Sequence, residues 1–185
     1  MFAYCLYCQT QKCKKISAWL EQKPEVNTAF SPSILKRQRK MGRNIDIEFD
    51  LLPGYVFVYT DQPLSDITVL RNNSGVIRMI GNPENSWILT GGDFDFAMNL
   101  YKKGGKIPQL SIIKTGETVI LKDPIFNSTK GQVTKIDFKQ QRARIDYEFA
   151  GTHCFTWVAM ELLEIDKSEN IETEKKMKTR KSHFN

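Results

Sequence analysis

Across residues 51–59 the chain reads Leu-Leu-Pro-Gly-Tyr-Val-Phe-Val-Tyr, a turn signal followed by strict alternation. On an extended strand this alternation sends Tyr55, Phe57 and Tyr59 to one face and Val56 and Val58 to the other. The valines suit a buried core. Three rings in a row, two with hydroxyl tips, suit either packing inside the fold or a half-apolar surface that holds a partner.

Residues 2–8 alternate in the same way, Phe2, Tyr4, Leu6 and Cys8 against Ala3, Cys5 and Tyr7, which predicts a first strand with Tyr7 on its minority face. Over residues 11–21, Ile16, Trp19 and Leu20 recur at helical spacing among lysines, an amphipathic helix closed before Pro24. A strand is expected over residues 26–30, broken at Pro32. A basic run then leads through a hairpin tip at Met41-Gly42 into a strand over residues 45–49. Further on come a short helix over residues 64–71, a turn at 72–75, a strand over 76–80 and a helix over 92–101. That last helix carries Phe94, Ala97, Met98 and Tyr101 on one face and Asp93 in its first turn. Residues 1–101 therefore read as an α+β domain, an antiparallel sheet with helices.

Residues 102–111 open with Lys-Lys-Gly-Gly-Lys-Ile-Pro, a change of composition that predicts an interdomain linker. From 112 to 165 the pattern is all strands, expected at 118–122, 132–137, 142–149, 154–158 and 160–165. Ala143, Ile145, Tyr147 and Phe149 alternate with Arg142, Arg144, Asp146 and Glu148, so one side is core and the other charged. Five short strands in about 55 residues make a small closed barrel. Residues 166–185 are almost free of apolar side chains and are expected to be disordered.

Composition adds a bias toward polyanions. The formal net charge is +6, and Lys36, Arg37, Arg39, Lys40 and Arg43 place five cations with no intervening acid. Such a run serves phosphates or is simply solvated. No apolar stretch is long enough for a membrane span and the start lacks a signal-peptide pattern, so a cytoplasmic protein is expected. Cys5, Cys8, Cys13 and Cys154 form a poor disulfide framework and fit reduced thiols.

Two groups of motifs resemble one family. Residues 4–8 (Tyr-Cys-Leu-Tyr-Cys), 52–58 (Leu-Pro-Gly-Tyr-Val-Phe-Val) and 76–81 (Val-Ile-Arg-Met-Ile-Gly) resemble the N-terminal NGN domain of NusG transcription elongation factors. Residues 116–122 (Gly-Glu-Thr-Val-Ile-Leu-Lys) and 131–137 (Gly-Gln-Val-Thr-Lys-Ile-Asp) resemble the KOW motif of their C-terminal SH3-like barrel. Residues 142–145 and 158–163 look most like the LoaP-type antitermination paralogs. The chain also departs from the family. Ala3-Tyr4 replaces the usual Trp-Tyr, Gln9-Thr10-Gln11-Lys12 replaces Gly-x-Glu, and Asp123 takes a loop position usually held by glycine.

The resemblance implies an elongation or antitermination factor whose first domain grips the clamp helices of RNA polymerase through Tyr7, Tyr55 and Phe57. It implies that the exposed non-template DNA, or nascent RNA, lies near Lys12, Lys15, Arg37, Arg39, Lys40, Arg43 and Arg71, with Arg71 favoured for base choice. It implies a barrel that serves as adaptor to a small-subunit ribosomal protein or Rho, through Ile125 and Phe126 with Lys122 and Lys130, and with Arg142 and Arg144 adding charge if the target is RNA. A monomer without cofactor is expected. A ribosome accessory that binds RNA through the barrel is the alternative.

Metal and enzyme readings fare poorly. Cys5 and Cys8 are an odd number of residues apart on one strand and face opposite sides, so they cannot chelate together. Two histidines, no Gly-rich phosphate loop and no nucleophile elbow argue against catalysis.

Overall fold

The computed structural model describes residues 1–115 and 118–164. Its N-terminal half contains strands β1 (Phe2–Cys8), β2 (Thr28–Phe30), β3 (Ser33–Lys40), β4 (Arg43–Asp50), β5 (Tyr55–Thr60) and β6 (Val76–Ile80). Helices α1 (Cys13–Leu20), α2 (Thr68–Arg71) and α3 (Gly91–Lys102) accompany them. The central sheet runs β2-β5-β1-β6 and is antiparallel throughout. Strand parity divides its side chains as the alternation requires. Tyr4, Leu6, Cys8, Val56 and Val58 pack against Ile16 and Leu20 of α1 and Leu70 of α2. Ala3, Cys5, Phe57 and Tyr59 face α3, where Phe96, Ala97 and Leu100 are buried.

The basic run is a strand. Lys36, Arg37, Arg39 and Lys40 all lie in β3, which pairs with β4 from Ser33↔Asp50 to Lys40↔Arg43. Met41 (φ 49°) and Gly42 (φ 78°) turn the hairpin. Two successive positive φ angles are those of a type I′ turn, whose twist matches that of the flanking strands.

Residues 102–111, expected as a linker, are partly structured. β7 (Lys106–Ile107) adds to β3 in parallel, and β8 (Leu110–Thr115) begins after two intervening residues. Gly104 and Gly105, with φ of 61° and 76°, make the turn out of α3 that permits this.

The C-terminal half is a curled sheet of β8, β9 (Thr118–Leu121), β10 (Gln132–Asp137), β11 (Arg142–Phe149) and β12 (Thr152–Glu164), in the order β10-β11-β12-β8-β9. Where the sequence suggested two strands at 154–158 and 160–165, there is one. β12 pairs antiparallel with β11 as far as Ala159 and then parallel with β8 from Met160. No Gly or Pro interrupts 152–164, so the ladder changes partner without breaking. A 3₁₀ segment, Pro124–Thr129, closes one side. The tail at 166–185 and the first two residues of the KOW-like motif lie outside the described residues.

Candidate functional site

The aromatic face of β5 meets the barrel. Phe57 is fully buried, and its ring lies 5.4 Å from that of Phe149 on β11 and 6.4 Å from Phe96 on α3. Tyr55 is half-buried, 5.9 Å from Phe149 and 5.2 Å from Tyr7, while the Arg78 guanidinium sits 5.7 Å over the Tyr7 ring. Burial pushes the Tyr55 hydroxyl above its ordinary pKa, so it stays protonated and able to donate. From the barrel, Phe126 and Tyr147 complete the cluster, at 6.0 Å each from Phe96. Tyr59, the third ring of the strand, packs between Phe30 and Tyr101 of the N-terminal half. Its hydroxyl donates to the Ala97 carbonyl at 2.7 Å beneath α3.

Three polar contacts frame this apolar seam. Lys103, just past α3, places Nζ 2.7 Å from Asp123 Oδ2, and Asp123 Oδ1 accepts from the Ile125 amide. Asp93 Oδ1 accepts from the Ala150 amide at 3.0 Å. Arg37 is held in a two-pronged pair by Asp46 (2.6 and 2.7 Å) and donates onward to Gln141 at 2.7 Å and Gln109 at 3.2 Å. Magnitudes rank these terms. Burying one phenylalanine contributes about 1.5–3 kcal/mol, whereas a partly exposed ion pair contributes about 0.2–1 kcal/mol. The rings therefore supply most of the attraction and the polar contacts fix how the two layers register. The Tyr147 hydroxyl is buried in this layer without a hydrogen-bond partner among the described residues.

The basic candidates divide into three groups. Lys12, Lys15 and Arg71 are exposed on the side of α1 and α2. Arg39, Lys40 and Arg43 are exposed around the hairpin tip, whereas Arg37 is engaged as described. Lys122 and Lys130 are exposed on the barrel, Lys130 paired with Glu148 at 2.8 Å. Ile125 and Phe126 are both fully buried, Phe126 against Tyr147 at 5.0 Å. A loop bearing two large apolar groups beside an aromatic face turns them inward.

Cys5 and Cys8 belong to opposite cores, and burial pushes the Cys8 thiol up to about 12 and Cys5 upward as well. Both stay protonated and are poor metal ligands. Among the described residues no group of three or more His, Cys, Asp or Glu side chains is placed to hold a metal ion. No helix among them is long and apolar enough to cross a membrane.

Residues 3–95, which contain the central sheet from Ala3 onward and the first five residues of α3, match the family model described as "Transcription termination factor nusG". The chain belongs to the NusG family. Curated relatives include the transcription termination/antitermination protein NusG of Rickettsia typhi, 25% identical over 113 residues, and that of Rickettsia felis, 24% identical over 113 residues. Each match covers 60% of this chain and 59% of the relative, so the chain spans less than two thirds of their length. In three dimensions it resembles the solved structure "Domain interaction in Thermotoga maritima NusG" with a TM-score of 0.51, 14% identity, and coverage of 85% of this chain and 92% of that one. At that identity the likeness speaks for the fold alone. The NusG-family match ends before the barrel, and the structural likeness extends into it.

Sequence reasoning missed what covers the aromatic face. The signal was present in the size of the inward side chains of β11, since Tyr147 and Phe149 are large for the interior of so small a barrel.

Proposed function

We propose that this chain is a transcription elongation and antitermination factor that works by binding, without a chemical step. In this reading residues 1–101 dock on the clamp helices of RNA polymerase through Tyr7, Tyr55 and Phe57. Residues 102–111 join them to the barrel at 112–165, which recruits a small-subunit ribosomal protein or Rho. Lys12, Lys15, Arg71 and the hairpin tip lie toward non-template DNA, with phosphate contacts supplying affinity. The cytoplasm is its compartment and a diverged, LoaP-like role fits the replaced motifs.

The observation that carries this reading is the cover over Phe57. The ring is roofed by Phe149, from a sheet that shares no ladder with β5. The barrel can therefore lift away without unfolding either sheet, which exposes an aromatic face already shaped for a partner. The structural relative's own description concerns a domain interaction, which agrees with a family in which the two halves meet. Polymerase must then compete with the barrel, and its apparent affinity falls about tenfold for each 1.4 kcal/mol by which the closed form is favoured. Once bound, the factor disfavours pausing by holding one polymerase conformation better than another.

The test is retention of core RNA polymerase by the tagged full chain, paired with transcription through a terminator in vitro. The wild type is expected to retain polymerase and raise read-through. Tyr55→Ala with Phe57→Ala, checked for fold by circular dichroism, is expected to lose both. Full retention by a folded double variant overturns the reading.

A further inference from the structure

The outer face of β10, β11 and β12 carries a second, separate arrangement of rings and cations. Alternation on β11 turns Tyr147 and Phe149 inward and leaves Arg142, Arg144 and Asp146 outward. Opposite them β12 turns His153, Phe155 and Trp157 outward, through the pairs Arg144↔Trp157 and Asp146↔Phe155. Each guanidinium lies over a ring, Arg144 at 4.1 Å from the centre of Phe155 and Arg142 at 4.6 Å from Trp157. Each is also fixed by a carboxylate, Arg144 by Asp146 at 2.7 Å and Arg142 by Asp137 at 3.2 Å. Phe155 nevertheless stays 57% exposed.

We propose that this face binds single-stranded RNA, with bases stacking on the Phe155–Arg144 and Trp157–Arg142 platforms. Flat rings and guanidinium planes held in place by carboxylates are what unpaired bases stack on. Phosphates have cations at hand. Lys135 on β10 and Lys139 in the following turn are exposed and make no salt bridge among the described residues. The interleaved carboxylates oppose a bare polyphosphate but accept hydrogen bonds from hydroxyls. With exposed Thr134 and Gln132 beside them, they favour a strand that carries 2′-hydroxyls. The contact from Arg37 to Gln141 abuts the basic hairpin against the β10–β11 turn, so Arg39, two residues along the same side of β3, extends the track at one end. This face points away from the side that covers Phe57, so occupying it does not require polymerase and stands apart from the polymerase reading.

The experiment measures binding of the full chain, alone, to a fluorescein-labelled uridine RNA of about 12 nucleotides and to the deoxy strand of matching sequence. Wild type is expected to prefer the RNA. Phe155→Ala, at an exposed position, is expected to weaken RNA binding about tenfold, the effect of losing one stacked base. Arg144→Lys keeps the charge but removes the plane, and is expected to weaken it also. Unchanged RNA affinity in both variants, or equal affinity for the deoxy strand, overturns the proposal. So does loss of RNA binding only on Arg39→Ala with Lys40→Ala and Arg43→Ala, since the hairpin would then be the site.

Discussion

Lys103 Nζ stands 2.7 Å from Asp123 Oδ2 and ties the end of α3 to the first loop of the barrel. Asp123 occupies the position where the family resemblance leads one to expect glycine. It does two things a glycine cannot: it caps the 3₁₀ segment through the Ile125 amide and pairs with Lys103 at the end of α3. A departure from the family pattern has thus become a contact between the two halves of the chain.

Replacing Asp123 by glycine removes both roles. The ion pair is only partly buried, so the expected loss of docking is about 0.5–1 kcal/mol, a few-fold change in the open fraction. The amide of Ala150, held by Asp93 across the same seam, reports that change through faster hydrogen exchange. Slower or unchanged exchange at Ala150 contradicts a tie between these layers.

Tyr147 offers a change of the opposite sign. Its hydroxyl is buried without a partner among the described residues, which costs about 1–3 kcal/mol relative to a solvated one. Tyr147→Phe keeps the ring that packs on Phe126 and Phe96 and removes the stranded group. The variant is expected to be more stable to urea by about 1 kcal/mol, with an unchanged m-value, and to retain less polymerase because its closed form is deeper.

Acid loosens the hairpin through Asp46. The hydrogen bonds from Arg37, reinforced by its charge, hold the Asp46 carboxyl below its ordinary pKa against the opposing effect of burial. A folded value below the unfolded one means that the stabilisation is complete above an unfolded value of about 3.9 and is lost as pH falls through the lower folded value. Carbon-13 titration of the Asp46 carboxyl is expected to show a midpoint below about 3.9 that rises toward it in Arg37→Ala. Asp66, lowered instead by hydrogen bonds from Thr68, should not move and serves as the internal control.

How much of this was legible in the sequence varies with the range of the interaction. Alternation alone put Tyr55 and Phe57 on one face and Cys5 opposite Cys8, because strand parity is local and the sheet preserves it. The Arg37 pair was within reach too. A two-residue turn at Met41-Gly42 forces partners whose numbers sum to 83, which sets Arg37 against Asp46. Reading the basic run as one that serves phosphates or is simply solvated passed over that register. The cover on Phe57 was marked only by the size of Tyr147 and Phe149, since Phe149 lies 92 positions further along the chain and no local pattern says which surface such rings meet. The single β12 strand was obscured because its change of partner at Ala159 leaves no mark such as Gly or Pro.

Gly54 sets the geometry of the aromatic face, and a matched pair of alanine substitutions isolates how. Its φ of 90° lies in the left-handed region, its carbonyl accepts from the Cys8 amide at 2.6 Å, and a Cβ there would stand 2.8 Å from Cε2 of Tyr7. Gly42, with φ of 78° at the hairpin tip, has none of the described residues within 4 Å of such a Cβ. Gly42→Ala therefore bears only the backbone penalty, about 1 kcal/mol, whereas Gly54→Ala adds the collision with Tyr7 and is expected to cost about 2–3 kcal/mol. Thermal unfolding should separate the two by several degrees, at about 2–4 °C per kcal/mol for a chain of this size. Relief of the collision pushes the Tyr7 ring from its place 5.2 Å from Tyr55, so Gly54→Ala should also lower polymerase retention while Gly42→Ala leaves it intact. Equal melting temperatures in the two variants would mean that Tyr7 yields freely and that Gly54 is present for its backbone angle alone.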